Sequence, residues 1–179
     1  MIKDIIPVTD PKLRVKSKTV KKLDKRVKRI IRNLKDTLKV QDDPEGIGLA
    51  APQIGENIRA FVMKPNEEMT VIINPEVISL KKSKKKKRKK PDKRPKTMEG
   101  CLSLPHYYGP LNRAESATVK YLGEDGQKKT RTFKGLEAQI IMHEIDHLNG
   151  VLFVDRLLEQ KQPLYELVNG EWELVDLLI

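Results

Sequence analysis

The sequence has a single cysteine, Cys101, among 179 residues. One thiol cannot close an intramolecular disulfide, so a disulfide scaffold is excluded, and so is a cysteine-rich zinc ribbon. No stretch approaches the roughly 18 consecutive apolar residues of a membrane-spanning helix. The opening Met-Ile-Lys-Asp-Ile-Ile-Pro-Val carries no long apolar segment followed by a small-residue cleavage site. We therefore expect a cytoplasmic protein with no membrane partner. Internal repeats are also missing, and a length of 179 residues suits one domain, here 1–179, with a substantial core.

Positive charge is abundant, with a formal net charge of +11, and its location decides its meaning. Segment 81–96, KKSKKKKRKKPDKRPK, holds 12 Lys/Arg against Asp92 alone, so the remaining residues balance 24 basic against 24 acidic groups. Within that balance, residues 12–39 hold 13 Lys/Arg and 2 Asp, leaving 11 basic and 22 acidic groups elsewhere. The tract Lys81–Lys96 is too densely like-charged to pack, which predicts a mobile, solvated loop insertion.

Residues 7–22, with Pro7 and Pro11, predict an irregular or short extended lead-in. Asp24 opens a helix: Leu23, Val27, Ile30, Ile31, Leu34 and Leu38 recur every three or four residues on an otherwise basic segment that should end by Asp42-Asp43-Pro44. Gly46–Gly55 has the composition of a turn. Ile58–Met63, Met69–Ile73 and Val77–Leu80 predict strands, and Ala117–Leu122 with Lys128–Phe133 flank Gly123-Glu124-Asp125-Gly126 as a hairpin. A second helix runs from Gly135 to Asn149-Gly150, with Leu136, Ile140, Ile141, Ile145 and Leu148 on a broad buried face and Gly150 as its stop. Asn169-Gly170 predicts a type I′ turn in a C-terminal hairpin over 163–177. These elements amount to one α+β domain, with antiparallel strands packed around the second helix and a basic amphipathic helix at the N-terminal side.

That second helix carries His143-Glu144-Ile145-Asp146-His147. The i, i+4 spacing puts both imidazoles on one face with Glu144 beside them, a pattern able to hold a divalent metal and to take a proton from metal-bound water. By itself H-E-x-x-H is short and also arises by chance. A catalytic site wants three protein ligands and an open fourth position. Cys101, in Glu99-Gly100-Cys101-Leu102-Ser103, is either that third ligand or an inert buried thiol. Gly46-Ile47-Gly48-Leu49-Ala50-Ala51-Pro52-Gln53 is either a plain turn or a segment that lets backbone approach a substrate, with Gln53 as an amide donor.

Taken jointly, the three segments resemble the signature motifs of the peptide deformylases, G-x-G-x-A-A-x-Q, E-G-C-x-S and H-E-x-D-H, in the family's order. The resemblance spans Thr9-Asp10-Pro11 to about Arg156. It implies hydrolysis of the N-formyl group from the formyl-methionine of nascent polypeptides. Cys101, His143 and His147 would hold the metal with water in the fourth place, and Glu144 would be general base and then acid. Gln53 and the backbone N–H of Leu102 would form the oxyanion hole. Ile47, Gly48 and Gly100 would pair with an extended peptide. The methionine side chain would enter a pocket formed by Ile47, Glu99, Leu136, Gln139 and Ile140. Around the ligands we expect Arg113 to pair with Asp146, next to His147.

The family is generally an Fe2+ enzyme that also works with Ni2+ or Co2+, while Cys/His/His ligation also suits Zn2+. Many relatives carry an arginine a few residues after the cysteine motif that contacts the peptide. Tyr108 stands near that place here, and His106 is expected in a loop without a role. Because a deformylase meets nascent chains at the ribosome, the implied partners are N-formylmethionyl peptides, with ribosomal RNA phosphates as a candidate contact for Lys81–Lys96. The tract lacks the interleaved aromatics of base-specific recognition. We expect a monomer. Two other readings fit parts of the pattern: a metallopeptidase, which leaves Cys101 and Gln53 unexplained, and a catalytically silent ribosome-binding relative, which leaves Glu144 unexplained.

Overall fold

A computed structural model of the chain describes residues 1–66, 68–81 and 98–175. The tract expected to form a mobile insertion, from Lys82 onward, lies outside the described residues, as do residues 176 and 177 of the C-terminal hairpin.

Helix α1 spans Lys25–Lys39, and the Asp24 side chain caps it by accepting from the Val27 N–H at 2.8 Å. Its stripe of Val27, Ile30, Ile31, Leu34 and Leu38 is buried while its lysines and arginines face outward. Five strands form one antiparallel sheet in the order β1 (Gly48–Ala50), β2 (Ala60–Met63), β3 (Thr70–Lys81), β6 (Ser116–Leu122), β7 (Lys128–Lys134). Two helices cover this sheet, which explains why β2 is buried along its whole length. Ala60, Val62, Val71 and Ile73 cluster with α1, while Phe61, Met63 and Ile72 cluster with helix α2 (Leu136–Leu148). The alternation is the two-residue period of a strand read against two different helices.

The segment expected to be a turn, Gly46–Gly55, is instead strand β1 followed by a 3₁₀ turn over Ala51–Ile54. Its small residues suit a strand squeezed between two helices: Leu49, Ala50 and Ala51 are all fully buried. The two strands expected over Met69–Ile73 and Val77–Leu80 are one strand, β3, whose register shifts between Ile73 and Glu76. Asn74 holds the irregularity, accepting from the Val20 N–H at 2.9 Å and donating to the Val20 carbonyl at 2.8 Å.

A second antiparallel sheet runs in the order β4 (Met98–Cys101), β5 (Leu104–Pro110), β8 (Leu164–Val168), β9 (Glu171–Val175). Helix α3 (Phe153–Glu159) packs Phe153 and Leu157 with Cys101, Leu111 and Leu164. Asn169 and Gly170 take φ of 51° and 85°, the two positive values that a type I′ turn requires. None of the described helices is long and apolar enough to cross a membrane.

Candidate metal centre

Helix α2 is buried on almost every side, including His143, Glu144, Asp146 and His147. Four ionisable groups in an interior demand partners, because an unpaired buried charge is strongly unfavourable. The helix stops at Asn149, and Gly150 turns the chain away with a φ of 74°. Leu136 departs from the expected buried face. It is 46% exposed, because the first turn of α2 lies at a cavity rather than against the sheet.

His143 and His147 sit one turn apart on α2, and Cys101, at the end of β4, comes to both. The Cys101 Sγ lies 3.2 Å from His147 Nε2, and the ligand atoms of the three residues all fall within 4.8 Å of one another. A tetrahedral ion with metal–sulfur and metal–nitrogen distances of about 2.3 and 2.0–2.1 Å needs ligand atoms about 3.3–3.6 Å apart. The cluster therefore fits a metal with small adjustments of side-chain torsion. The donor set is one thiol and two imidazoles, the type that borderline divalent ions prefer. Burial favours the neutral thiol, but the charges and hydrogen bonds of His147 and His143 outweigh it and hold the Cys101 pKa well below its ordinary value. A thiolate is the form that ligates metal.

The His143 ring is oriented from behind. Its Nδ1 lies 2.8 Å from Glu99 Oε1, which leaves Nε2 for the ligand position. Arg113 grips Glu99 with two donors, Nε at 2.9 Å and an Nη at 2.5 Å, and its other Nη donates to Asp146 at 2.6 Å. Arg156 closes the chain on Asp146 with contacts of 2.6 and 3.0 Å. Burial would raise the Glu99 carboxyl, yet hydrogen bonds from Arg113 and His143 overcome it and hold the pKa down at about 2. Sequence reasoning named Arg113 and Asp146 but missed Arg156, and it put Glu99 only in the cavity wall. Its position two residues before Cys101 on the same strand was the available signal.

Glu144 is 3% exposed, and its Oε2 has no hydrogen-bond partner. Burial, only partly countered by His143 and His147, pushes its pKa up to about 7. The other carboxylate oxygen, Oε1, rests against Gly48. A Cβ at that glycine would overlap Oε1 and approach the Glu144 Cδ and Ile140 Cγ2 to 3.0 Å. Gln53 is fixed at both ends: its Oε1 accepts from the Ala50 N–H at 2.8 Å, and its Nε2 points to Cys101 Sγ at 3.6 Å and Ser103 Oγ at 3.2 Å. The backbone donor at Ala50 determines which way round the amide lies.

A cavity of about 280 Å³ opens onto this centre. Gln53, Cys101, Leu102, His143 and Glu144 form its chemical end. Ile47, Gly48, Glu99, Gly100, Leu136, Gln139 and Ile140 also line it, with Tyr108 and His106 further along β5. His106, expected in a loop, is instead part of that strand, with a positive φ of 67°.

The sequence model for the polypeptide deformylase family matches residues 2–163. The chain belongs to the polypeptide deformylase family. A peptide deformylase of Dictyoglomus turgidum is 38% identical over 160 residues, covering 89% of this chain and 95% of the relative. One from Agrobacterium fabrum is 40% identical over 168 residues, covering 91% of each. The crystal structure of the Thermotoga maritima peptide deformylase superposes with a TM-score of 0.75 at 33% identity, covering 87% of this chain and 97% of that one. A Synechococcus elongatus peptide deformylase crystallised with actinonin gives 0.75 at 37% identity, over 86% of this chain and 77% of its own. Family membership thus rests on nearly the whole described chain, with the C-terminal hairpin falling beyond the matched segment.

Proposed function

We propose that this protein removes the N-formyl group from the formyl-methionine of nascent polypeptides, releasing formate. The observation that carries the proposal is the convergence of Cys101, His143 and His147 with the unpaired Glu144 carboxylate at the end of one cavity, in a chain of the polypeptide deformylase family. Cys101 Sγ and the Nε2 atoms of His143 and His147 would hold a divalent ion, Fe2+ in the cell, with Zn2+, Ni2+ or Co2+ able to take its place. When bound, such an ion acts as a Lewis acid and lowers the pKa of water toward neutrality.

The protein's own groups perform the remaining steps. Glu144 takes a proton from the attacking water as the water oxygen bonds to the formyl carbon. The carbon–nitrogen bond then breaks, Glu144 returns a proton to the departing α-amine, and formate leaves. Gln53 Nε2 and the Leu102 N–H donate to the formyl oxygen as it becomes negative. Because the Ala50 N–H fixes its Oε1, the Gln53 amide is already oriented, and its Nε2 has only to exchange the long contact with Cys101 Sγ for the formyl oxygen. Gln53→Ala is expected to lower kcat by about 10²-fold with little change in KM, read from initial rates of formate release.

Among the described residues, β1 and β4 are the end strands of their sheets, and both border the cavity. Their outer edges, at Gly48 and Gly100, with Ile47 just before β1, suit an extended peptide bound as an added strand. Ile47, Leu136 and Ile140 offer apolar surface to the methionine side chain, with Gln139 beside them. Gly48 has a second duty, because it leaves room for the Glu144 carboxylate. Gly48→Ala is expected to displace that carboxylate and lower kcat about 10- to 100-fold while metal content is unchanged, as measured by kinetics beside elemental analysis.

The direct test incubates anaerobically purified protein with formyl-Met-Ala-Ser and follows the loss of the formyl group by mass spectrometry. Conversion to Met-Ala-Ser supports the proposal. Cleavage after the methionine instead would indicate a metallopeptidase, and an unchanged peptide would point to a binding role.

A further inference from the structure

The β8–β9 hairpin begins at Leu164, one residue after the segment matched by the family. It is attached to a strand that matters: β8 pairs with β5, placing Tyr165 opposite Tyr108, and β9 pairs with β8, placing Leu174 opposite Tyr165. Residues opposite one another share a sheet face, so Tyr108, Tyr165 and Leu174 lie on one side. Trp172, two residues from Leu174, lies on that side too, and its ring reaches across β8 to Tyr108. The two centroids are 5.3 Å apart and the planes are perpendicular, the edge-to-face arrangement favoured by aromatic quadrupoles. Trp172 remains 48% exposed, so this contact is not part of a closed core.

Tyr108 is braced from the other side by a missing side chain. A Cβ on Gly100, its partner in the β4–β5 register, would stand 2.6 Å from the Tyr108 Cδ1 and Cε1 atoms. The ring therefore packs against Gly100 and lines the cavity. Pro44 and Glu45 line it as well, and the charge of neighbouring Asp43 is felt at the Tyr108 hydroxyl. The Tyr108 ring thus forms part of the cavity wall, and the hairpin's Trp172 packs edge-to-face with it.

We propose that Trp172 is a positioning residue that holds the Tyr108 ring against Gly100 and so shapes the surface that meets the peptide residues following the methionine. The proposal rests on the deformylase reading for the identity of the peptide. The formyl group and the methionine side chain are assigned to the part of the cavity around Cys101, Glu144 and Ile140. Trp172 consequently acts on longer peptides and not on the chemical step.

The test compares formyl-Met-Ala-Ser with formyl-methionine amide on the metal-loaded protein. Trp172→Ala is expected to raise KM for the tripeptide about three- to tenfold, the scale of an aromatic pair, with kcat and the amide kinetics unchanged. Trp172→Phe should recover most of the loss. In a Tyr108→Ala background, Trp172→Ala should add nothing, since it works through that ring. Trp172 is the one tryptophan of the chain, which provides a reading independent of turnover. Titrating Met-Ala-Ser should move its emission saturably, while methionine amide leaves it unchanged. Emission that stays flat through tripeptide saturation overturns the proposal, as does a Trp172→Ala variant whose KM is unaltered or whose kcat falls equally on both substrates. If the wild-type protein releases formate from neither substrate, the deformylase reading fails, and the tripeptide titration still decides whether the hairpin borders a bound peptide.

Discussion

Glu144→Gln is expected to lower kcat for formate release by about 10²- to 10⁴-fold while the protein keeps its metal. The substitution preserves shape, so the side chain still fits between Gly48 and Ile140, and only the capacity to take and return a proton is lost. Glu144 is not placed as a ligand: Cys101, His143 and His147 form the cluster, and the Glu144 Oε2 is buried without a partner. A buried, unpaired carboxylate is unfavourable for folding, since its desolvation goes uncompensated. It persists where function requires it, as the stability–activity trade-off would have it. The melting temperature of Glu144→Gln should accordingly be no lower than that of the parent. Parallel measurements of formate release, bound metal and thermal unfolding separate the possibilities. Loss of metal along with activity would instead make Glu144 a ligand or a support for one.

Arg113→Ala should damage both the fold and the metal site. Glu99 is 4% exposed, and without Arg113 its charge would be left facing only His143. Removing one member of a buried charge pair costs about 3–5 kcal/mol. For a domain of this size that corresponds to a fall in melting temperature of roughly 6–20 °C. Asp146 suffers less, because Arg156 still holds both of its oxygens. The ring of His143 would lose the carboxylate that fixes its orientation, weakening metal binding about 10- to 100-fold, which a chelator competition measures. Arg113→Lys keeps the charge but not the two-pronged contact, so its effects should be intermediate. An alanine variant with normal melting and normal metal retention would show that Glu99 has another source of support.

Helix α1 was readable because its apolar stripe has one period and its cap, Asp24, stands where a cap belongs. The two hairpins were readable from local turn chemistry at Gly123–Gly126 and Asn169-Gly170. Strand β1 was not, because Gly48, Leu49 and Ala50 have the composition of a turn and become a strand only through pairing with β2 and cover from two helices. Strands β4 and β5 carry Gly100, Pro105 and Gly109, and their pairing shifts register beside Cys101, so no clean alternation marks them. Helix α3 has only seven residues, too few for a period to show.

The candidate site was more legible than the strands that carry it, because its chemistry is written in rare residues. One cysteine and two of the three histidines meet in a single cluster. The expected Arg113–Asp146 pair is formed, and what stayed hidden was the rest of the supporting network, the parts played by Arg156 and Glu99. Asp146 adjoins His147 in sequence, yet successive residues on a helix point about 100° apart, and Asp146 turns toward Arg113 and Arg156. Glu99, separated from His143 by more than forty residues of chain, supplies the support to that ring, a relation that only the folded chain reveals.

The most direct test of the account is a metal titration of the apoprotein under anaerobic conditions, with bound Fe2+ and the rate of formate release from formyl-Met-Ala-Ser measured on the same samples. The account predicts that activity rises in proportion to bound metal and levels off at one ion per chain, and that Cys101→Ala binds little metal and stays inactive. A protein that fills this site stoichiometrically and releases no formate would contradict it.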